Sequence, residues 1–166
     1  ALSAHIPERR VTTEEIVRSA TGSLAEARVF ERIFGLSSVA VAEPGLALSD
    51  HFAPVIEALH HRHDGSAPDT LIHVRGQPLN LPHARLALDG LRADHPFLSG
   101  IVHCYEVDQY NCSGLFWALD LARVLIETKI ARCIVVLAGD NHVGLRLADR
   151  YLPGCTIMGD AFCGLV

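Results

Sequence analysis

Lysine is nearly absent: Lys129 stands alone against thirteen Arg. Aromatic residues make up 6% of the 166, with a single Trp, and charged residues 20% against 49% apolar. This balance excludes disordered, collagen-like and coiled-coil chains. No apolar run reaches the roughly 18–20 residues that span a bilayer. No basic-then-apolar leader opens the sequence, so a cytoplasmic protein away from the membrane is expected. The net charge of −5 supplies no global basic field for nucleic acid. Neither GxGxxG nor GxxxxGK[ST] occurs, which discounts a small nucleotide-binding domain. The five Cys are odd in number and form no CxxC pair, so a paired-Cys zinc site is not expected. A reducing compartment fits them, with Cys104, Cys133 and Cys163 expected in the core and Cys155 at a strand edge.

What is present is an alternation of strand and helix signals. Ala1 to Ala4 reads as the end of a strand closed by Pro7. Thr12 and Thr13 followed by Glu14 and Glu15 open a helix. Leu24, Ala27, Phe30, Ile33 and Phe34 repeat at helical spacing until Gly35. Val39 to Ala42 is a short strand before Pro44 and Gly45. A helix from Ser49–Asp50 carries Phe52, Val55, Ile56 and Leu59 on one face. Thr70–Val74 is a buried strand, followed by a loop and a helix from Pro82 to about Leu91. A strand at Val102–Val107, a long helix at Ser113–Thr128 and an apolar strand at Ala131–Gly139 come next. Loop-rich residues 140–154 lead to two last strands, Thr156–Met158 and Cys163–Val166. The alternation predicts one α/β domain over residues 1–166, with a mainly parallel mixed sheet of about five strands and helices on both faces.

The run Tyr110-Asn111-Cys112-Ser113-Gly114-Leu115-Phe116-Trp117-Ala118-Leu119-Asp120-Leu121-Ala122 stands apart. From Gly114 to Ile126 only Asp120 and Arg123 are charged, so this helix is expected to be the most buried of the chain. A strand feeds straight into its start, which puts Cys112 at a sharp strand-to-helix turn. Small Ser113 and Gly114 allow backbone or substrate to come close there. Free N–H groups and the positive end of a helix stabilise a thiolate and the oxyanion of a tetrahedral intermediate. Cys112 is therefore a candidate nucleophile. Taken alone, it also fits a small buried apolar residue.

The same run resembles the nucleophile elbow of the thiolase superfamily, in its 3-oxoacyl-acyl-carrier-protein synthase III branch. Cys112-Ser113-Gly114 with Ala118-Leu119 and Ala122 matches the family's run around the acylated Cys. Ile6-Pro7-Glu8-Arg9-Arg10-Val11-Thr12-Thr13-Glu14-Glu15-Ile16 resembles its opening "LPxxxVTNxEL". Arg32-Ile33-Phe34-Gly35-Leu36 resembles "RTGI", Cys133 to Asp140 the strand ending near "AE", and Met158-Gly159-Asp160 the "FGDGA" turn. The likeness covers essentially all 166 residues. Asn111 before the nucleophile, Asp140 in place of Glu, and Ala161-Phe162-Cys163-Gly164 in place of a glycine-rich continuation depart from the pattern.

The resemblance implies the N-terminal half of a condensing enzyme or acyltransferase that loads an acyl group from an acyl-CoA or acyl-carrier-protein thioester onto Cys112. It implies no cofactor, and a homo-oligomer or heteromer through the thiolase dimer surface. The family's second half supplies a His and an Asn; no "HQAN" or "NxGN" context occurs here. A fragment, the ordered part of a longer chain and one subunit of a split enzyme all fit that, and so does a non-catalytic partner subunit. Arg32, Arg146 and Arg150 are candidates for a local cationic patch that binds an anionic acyl donor, with Arg146 and Arg150 expected on one helix face. Ser113 and Gly114 are candidate substrate-binding residues. His60-His61-Arg62-His63-Asp64 reads as a solvated helix end rather than a metal site, and Asp140-Asn141-His142 as a polar loop.

Overall fold

The computed structural model describes residues 1–76, 90–109, 113–139 and 145–166. In chain order its elements are β1 (Leu2–His5), β2 (Arg10–Thr12), α1 (Thr13–Ser19), α2 (Leu24–Phe34), β3 (Ser38–Ala40), α3 (Leu48–Arg62), β4 (Thr70–Val74), β5 (His103–Val107), α4 (Gly114–Glu127), β6 (Ile134–Gly139), β7 (Tyr151–Leu152), β8 (Thr156–Ile157) and β9 (Phe162–Leu165). Residues 90–94 are also helical. Most of the helix expected from Pro82 to about Leu91 lies outside the described residues. The chain divides into two compact units.

The first unit draws on residues 1–5, 47–140 and 162–166. Its five-stranded sheet runs β1-β9-β6-β4-β5. β4 pairs in parallel with β5 and with β6, whereas β9 is antiparallel to both β6 and β1. Side chains alternate across the sheet, as a pleated strand requires. Leu71, Val135 and Leu137 face Phe52, Val55, Ile56 and Leu59 of α3. Ile72, Val74, Ile134 and Val136 face Ala118 and Leu125 of α4. Both faces of the sheet are thus covered, as the α/β reading requires. Pro54 sits inside α3, where it removes one backbone hydrogen bond. Complete burial of Phe52, Val55, Ile56 and Leu59 offsets that loss, at about 1.5–3 kcal/mol per large side chain.

α4 departs from expectation. It buries Gly114, Ala118 and Leu125 but leaves Phe116 73% and Ile126 50% exposed. Among the described helices, α3 buries the most residues. The composition of α4 shows how apolar its surface is, not how much of that surface the chain covers. Cys104 also differs: it is exposed on β5, at the edge of the sheet, and Cys133 and Cys163 are only partly buried.

The second unit, residues 6–46 and 141–161, packs α1 and α2 with two small antiparallel ladders, β2–β3 and β7–β8. Thr12 caps α1 by accepting from the Glu15 N–H, and Ser23 and Glu26 form a reciprocal capping box on α2. Gly35 ends α2 at φ 66°, a left-handed conformation that glycine adopts without a Cβ clash. Ile16, Val17, Phe30, Val39 and Tyr151 form the core of this unit.

Candidate active site

The parallel strands β4, β5 and β6 end side by side at Val74, Val107 and Gly139. Carboxyl ends of strands are where open α/β sheets hold their ligands. The chain leaves β5 through Asp108 and Gln109 and re-enters described structure at Ser113. Cys112 lies outside the described residues, and so do Asp140, Asn141 and His142. The frame on either side of Cys112 is described. A Cβ added to Gly114 would lie 3.1 Å from Val74 Cγ1 and 3.4 Å from the Gln109 carbonyl oxygen. The first residue of α4 is therefore pressed onto the ends of β4 and β5, a close approach that absence of a side chain permits. Ser113 beside it is exposed, at φ −88° and ψ −3°.

Two buried polar side chains at this end of the sheet were not anticipated. Arg75 follows the last residue of β4, and its backbone N–H donates to the Val107 carbonyl. Its side chain is buried, with Nη2 donating to Glu106 Oε2 at 2.7 Å and lying 3.7 Å from Asp108 Oδ2. Nε and Nη1 have no hydrogen-bond partner among the described residues. His73, inside β4, is fully buried, with Nε2 3.4 Å from the Gly139 carbonyl oxygen. That oxygen can only accept, so the ring proton belongs on Nε2. Burial first, then the charge of Arg75, pulls the His73 pKa down to about 4, against a smaller opposing pull from the Gly139 carbonyl. His73 is thus neutral over the working pH range. No local pattern in the sequence signals the Arg75–Glu106 ion pair, whose partners lie 31 residues apart.

The three candidate cationic residues differ in exposure and in partners. All lie in the second unit. Arg32 is exposed in the last turn of α2. Arg146 precedes a 3-10 turn, in extended backbone, and its guanidinium is held by Asp149 at 2.9 Å. Arg150 is buried and paired with Asp160 Oδ2 at 2.9 Å, while that carboxylate also accepts the Ala42 N–H at 2.7 Å. Arg146 and Arg150 therefore do not share a helix face: the turn is 3-10 and only four residues long, and Asp160 draws Arg150 inward. Arg150 and Arg9 do line a pocket of about 210 Å³ walled by Val41, Pro44, Leu145 and Leu147. The histidines at the end of α3 hold internal contacts: His61 with Glu57, His60 against Phe97, and His63 with the Ser66 carbonyl.

No family model and no curated protein matches this sequence. Solved structures do match it in fold. A 3-oxoacyl-(acyl-carrier-protein) synthase from Burkholderia xenovorans LB400 aligns over 98% of this chain and 45% of its own, with a TM-score of 0.70 and 21% identity. The fold is that of the 3-oxoacyl-(acyl-carrier-protein) synthase III structures. AbyA1, a tetronic acid condensing enzyme, shares this synthase III fold over 99% of this chain and 52% of its own, at TM-score 0.69 and 22% identity. ChlB3, an acyltransferase, does so over 99% and 48%, at 0.72 and 24%. The chain thus spans about half the length of the synthase III structures it matches. The five-stranded mixed sheet with helices on both faces is the expected thiolase-like half.

Proposed function

We propose that this chain is the nucleophile-bearing half of an acyltransferase or condensing enzyme. Its fold neighbours are enzymes of that broad kind. The observation that carries the reading is the close seat of Gly114 on Val74 and Gln109. It fixes the start of α4 at the carboxyl ends of the strands, directly after the sequence Asn111-Cys112. In this reading the Cys112 thiolate attacks the carbonyl carbon of an acyl thioester. The C–S bond to coenzyme A or to the carrier's pantetheine breaks, and that sulfur leaves as a thiolate that takes up a proton. The acyl group remains on Cys112 until a second nucleophile or a decarboxylating malonyl-type thioester accepts it. N–H groups of the first turn of α4, which have no partner within the helix, favour the thiolate and the oxyanion. The reaction belongs to a cytoplasmic enzyme in fatty-acid, polyketide or other secondary-metabolite biosynthesis. A His and an Asn from a second half would complete the site.

The test is direct. The protein incubated with a panel of acyl-coenzyme A donors should carry an acyl mass on the Cys112 peptide. Cys112→Ser should abolish it, because an unactivated hydroxyl is a poor nucleophile at neutral pH. Iodoacetamide should alkylate Cys112 faster than Cys133 or Cys163, whose thiols burial pushes up in pKa. A second reading, a non-catalytic partner subunit, is favoured by Ala161-Phe162-Cys163-Gly164 standing in place of the glycine-rich continuation. A Cys112 that is neither acylated nor more reactive than those two thiols would establish it instead.

A further inference from the structure

Val74 and Arg75, at the carboxyl end of β4, hold the two arms of the turn that leads from β5 to α4. Val74 faces α4 and takes the returning arm: a Cβ on Gly114 would come within 3.1 Å of its Cγ1. Arg75 faces the other way, with His73 and Glu106, and takes the departing arm. Its backbone N–H donates to the Val107 carbonyl at 2.9 Å, one step past the last paired residues, Val74 and Val107. Its Nη2 donates to Glu106 Oε2 at 2.7 Å and lies 3.7 Å from Asp108 Oδ2. Glu106, Val107 and Asp108 are thus all tied to one residue, and Asp108 stands four positions before Cys112.

Stability alone does not account for this arrangement. Arg75 is 4% exposed, whereas the Glu106 and Asp108 side chains are 32% and 36% exposed. An apolar side chain of similar length would fill the same place without desolvating a charge, and buried ion pairs replaced in that way often lose no stability. What the guanidinium adds is direction: it sets the path of the chain just beyond the β4–β5 ladder. His73, the register partner of Glu106, is neutral and offers these carboxylates no charge.

We propose that Arg75 is a positioning residue for the Cys112 nucleophile. The inference rests on the acyltransferase reading and adds a residue that acts through the backbone leaving β5. Arg75 fixes where β5 releases the chain, and Gly114 on Val74 fixes where α4 takes it up. Between these two points the thiol is kept at the N–H groups of the first turn of α4, where a thiolate and an oxyanion are favoured. Without the guanidinium the ladder still ends at Val107, but Asp108 loses its tie and the turn loses its fixed path.

The experiment reads thiol reactivity in the full protein, as iodoacetamide alkylation of each Cys peptide by mass spectrometry across a range of pH. Arg75→Met, of similar length, should slow alkylation of Cys112 at pH 7 about tenfold and move its pH profile upward, while Cys133 and Cys163 react as before. Arg75→Lys should restore most of the rate, because both carboxylates meet the single nitrogen Nη2, which an ammonium can replace. Asp108→Ala, at a partly exposed residue, should give a severalfold loss by a second route. Circular dichroism and melting temperature should stay close to the parent's in all three. Equal Cys112 rates and pH profiles in the parent and Arg75→Met overturn the proposal. So does a loss that tracks a lower melting temperature and that Arg75→Lys does not restore, since Arg75 would then serve the fold alone. Acylation of Cys112 by acyl-coenzyme A is scored separately. No acylation, with alkylation that depends on Arg75, sinks the enzyme reading and leaves the positioning role; acylation and alkylation that ignore Arg75 do the reverse.

Discussion

At the scale of single residues, the buried polar groups decide most. Arg150 and Asp160 are both almost fully buried, and Asp160 also holds the Ala42 N–H, so one carboxylate ties three segments of the second unit. Removing one partner leaves a buried, uncompensated charge, which costs about 3–5 kcal/mol. Asp160→Asn should therefore strongly lower the unfolding free energy from urea titration, whereas Arg146→Ala, at an exposed pair with Asp149, should change it by less than about 1 kcal/mol. His73 gives a pH signature. Its folded pKa of about 4 lies below the ordinary 6.5, so between those values the unfolded chain binds the proton and the folded one does not. Stability present above pH 6.5 is lost as pH falls toward 4, by about 3 kcal/mol for that shift. Urea midpoints followed from pH 7 to pH 4 should fall less steeply in His73→Phe than in the parent. Parallel curves would show that His73 does not carry this loss.

At the scale of elements, the helix after Cys112 joins function to stability. Gly114→Ala gains about 1 kcal/mol of helix propensity but crowds Val74, 3.1 Å from the new Cβ, so stability should change little. Gly114→Val adds branches at the same contact and should cost about 1–3 kcal/mol in urea unfolding. In both variants acylation of Cys112 should slow, because the added side chain pushes the start of α4 away from Val74 and the Gln109 carbonyl. Most elements were legible in the sequence. Thr12 gave the start of α1 and Gly35 the end of α2, and Thr70–Val74 was read residue for residue as β4. Short pieces were not. β2, at three residues, shows no period, and the 3-10 turn at Leu147–Arg150 lies in a stretch read as loop. The start of α4 was legible through small Ser113 and Gly114 and the apolar run behind them, whereas Cys112 lies outside the described residues. The Arg75–Glu106 pair was not, because it joins strands 31 residues apart and no local pattern encodes that contact.

At the scale of the whole molecule, the chain leaves apolar surface in water. Phe116, Trp117, Leu119, Val124 and Ile126 of α4 are 40–73% exposed, and Val102 beside the edge strand β5 is 74% exposed. Scattered exposed apolar residues are ordinary, but here five lie on one helix, on either side of the Asp120–Arg123–Glu127 ion pairs, and leave more apolar surface in water than a solvated helix needs. β5 pairs with β4 alone in the five-stranded sheet, and an edge of this kind invites another strand. Its charged neighbours Glu106 and Asp108 are drawn to Arg75, so they do little to blunt it. We expect the 166-residue chain expressed alone to associate or to bind a hydrophobic dye, and a second half or a second copy to suppress the dye signal. Phe116→Lys with Ile126→Glu should reduce both dye binding and sedimentation coefficient. The substitutions should leave the unfolding free energy from urea titration within about 0.5 kcal/mol, since surface changes away from packed contacts cost little. A parent chain that sediments as a monomer and binds no dye would mean this face is stable in water, and the argument for a covering partner would fall with it.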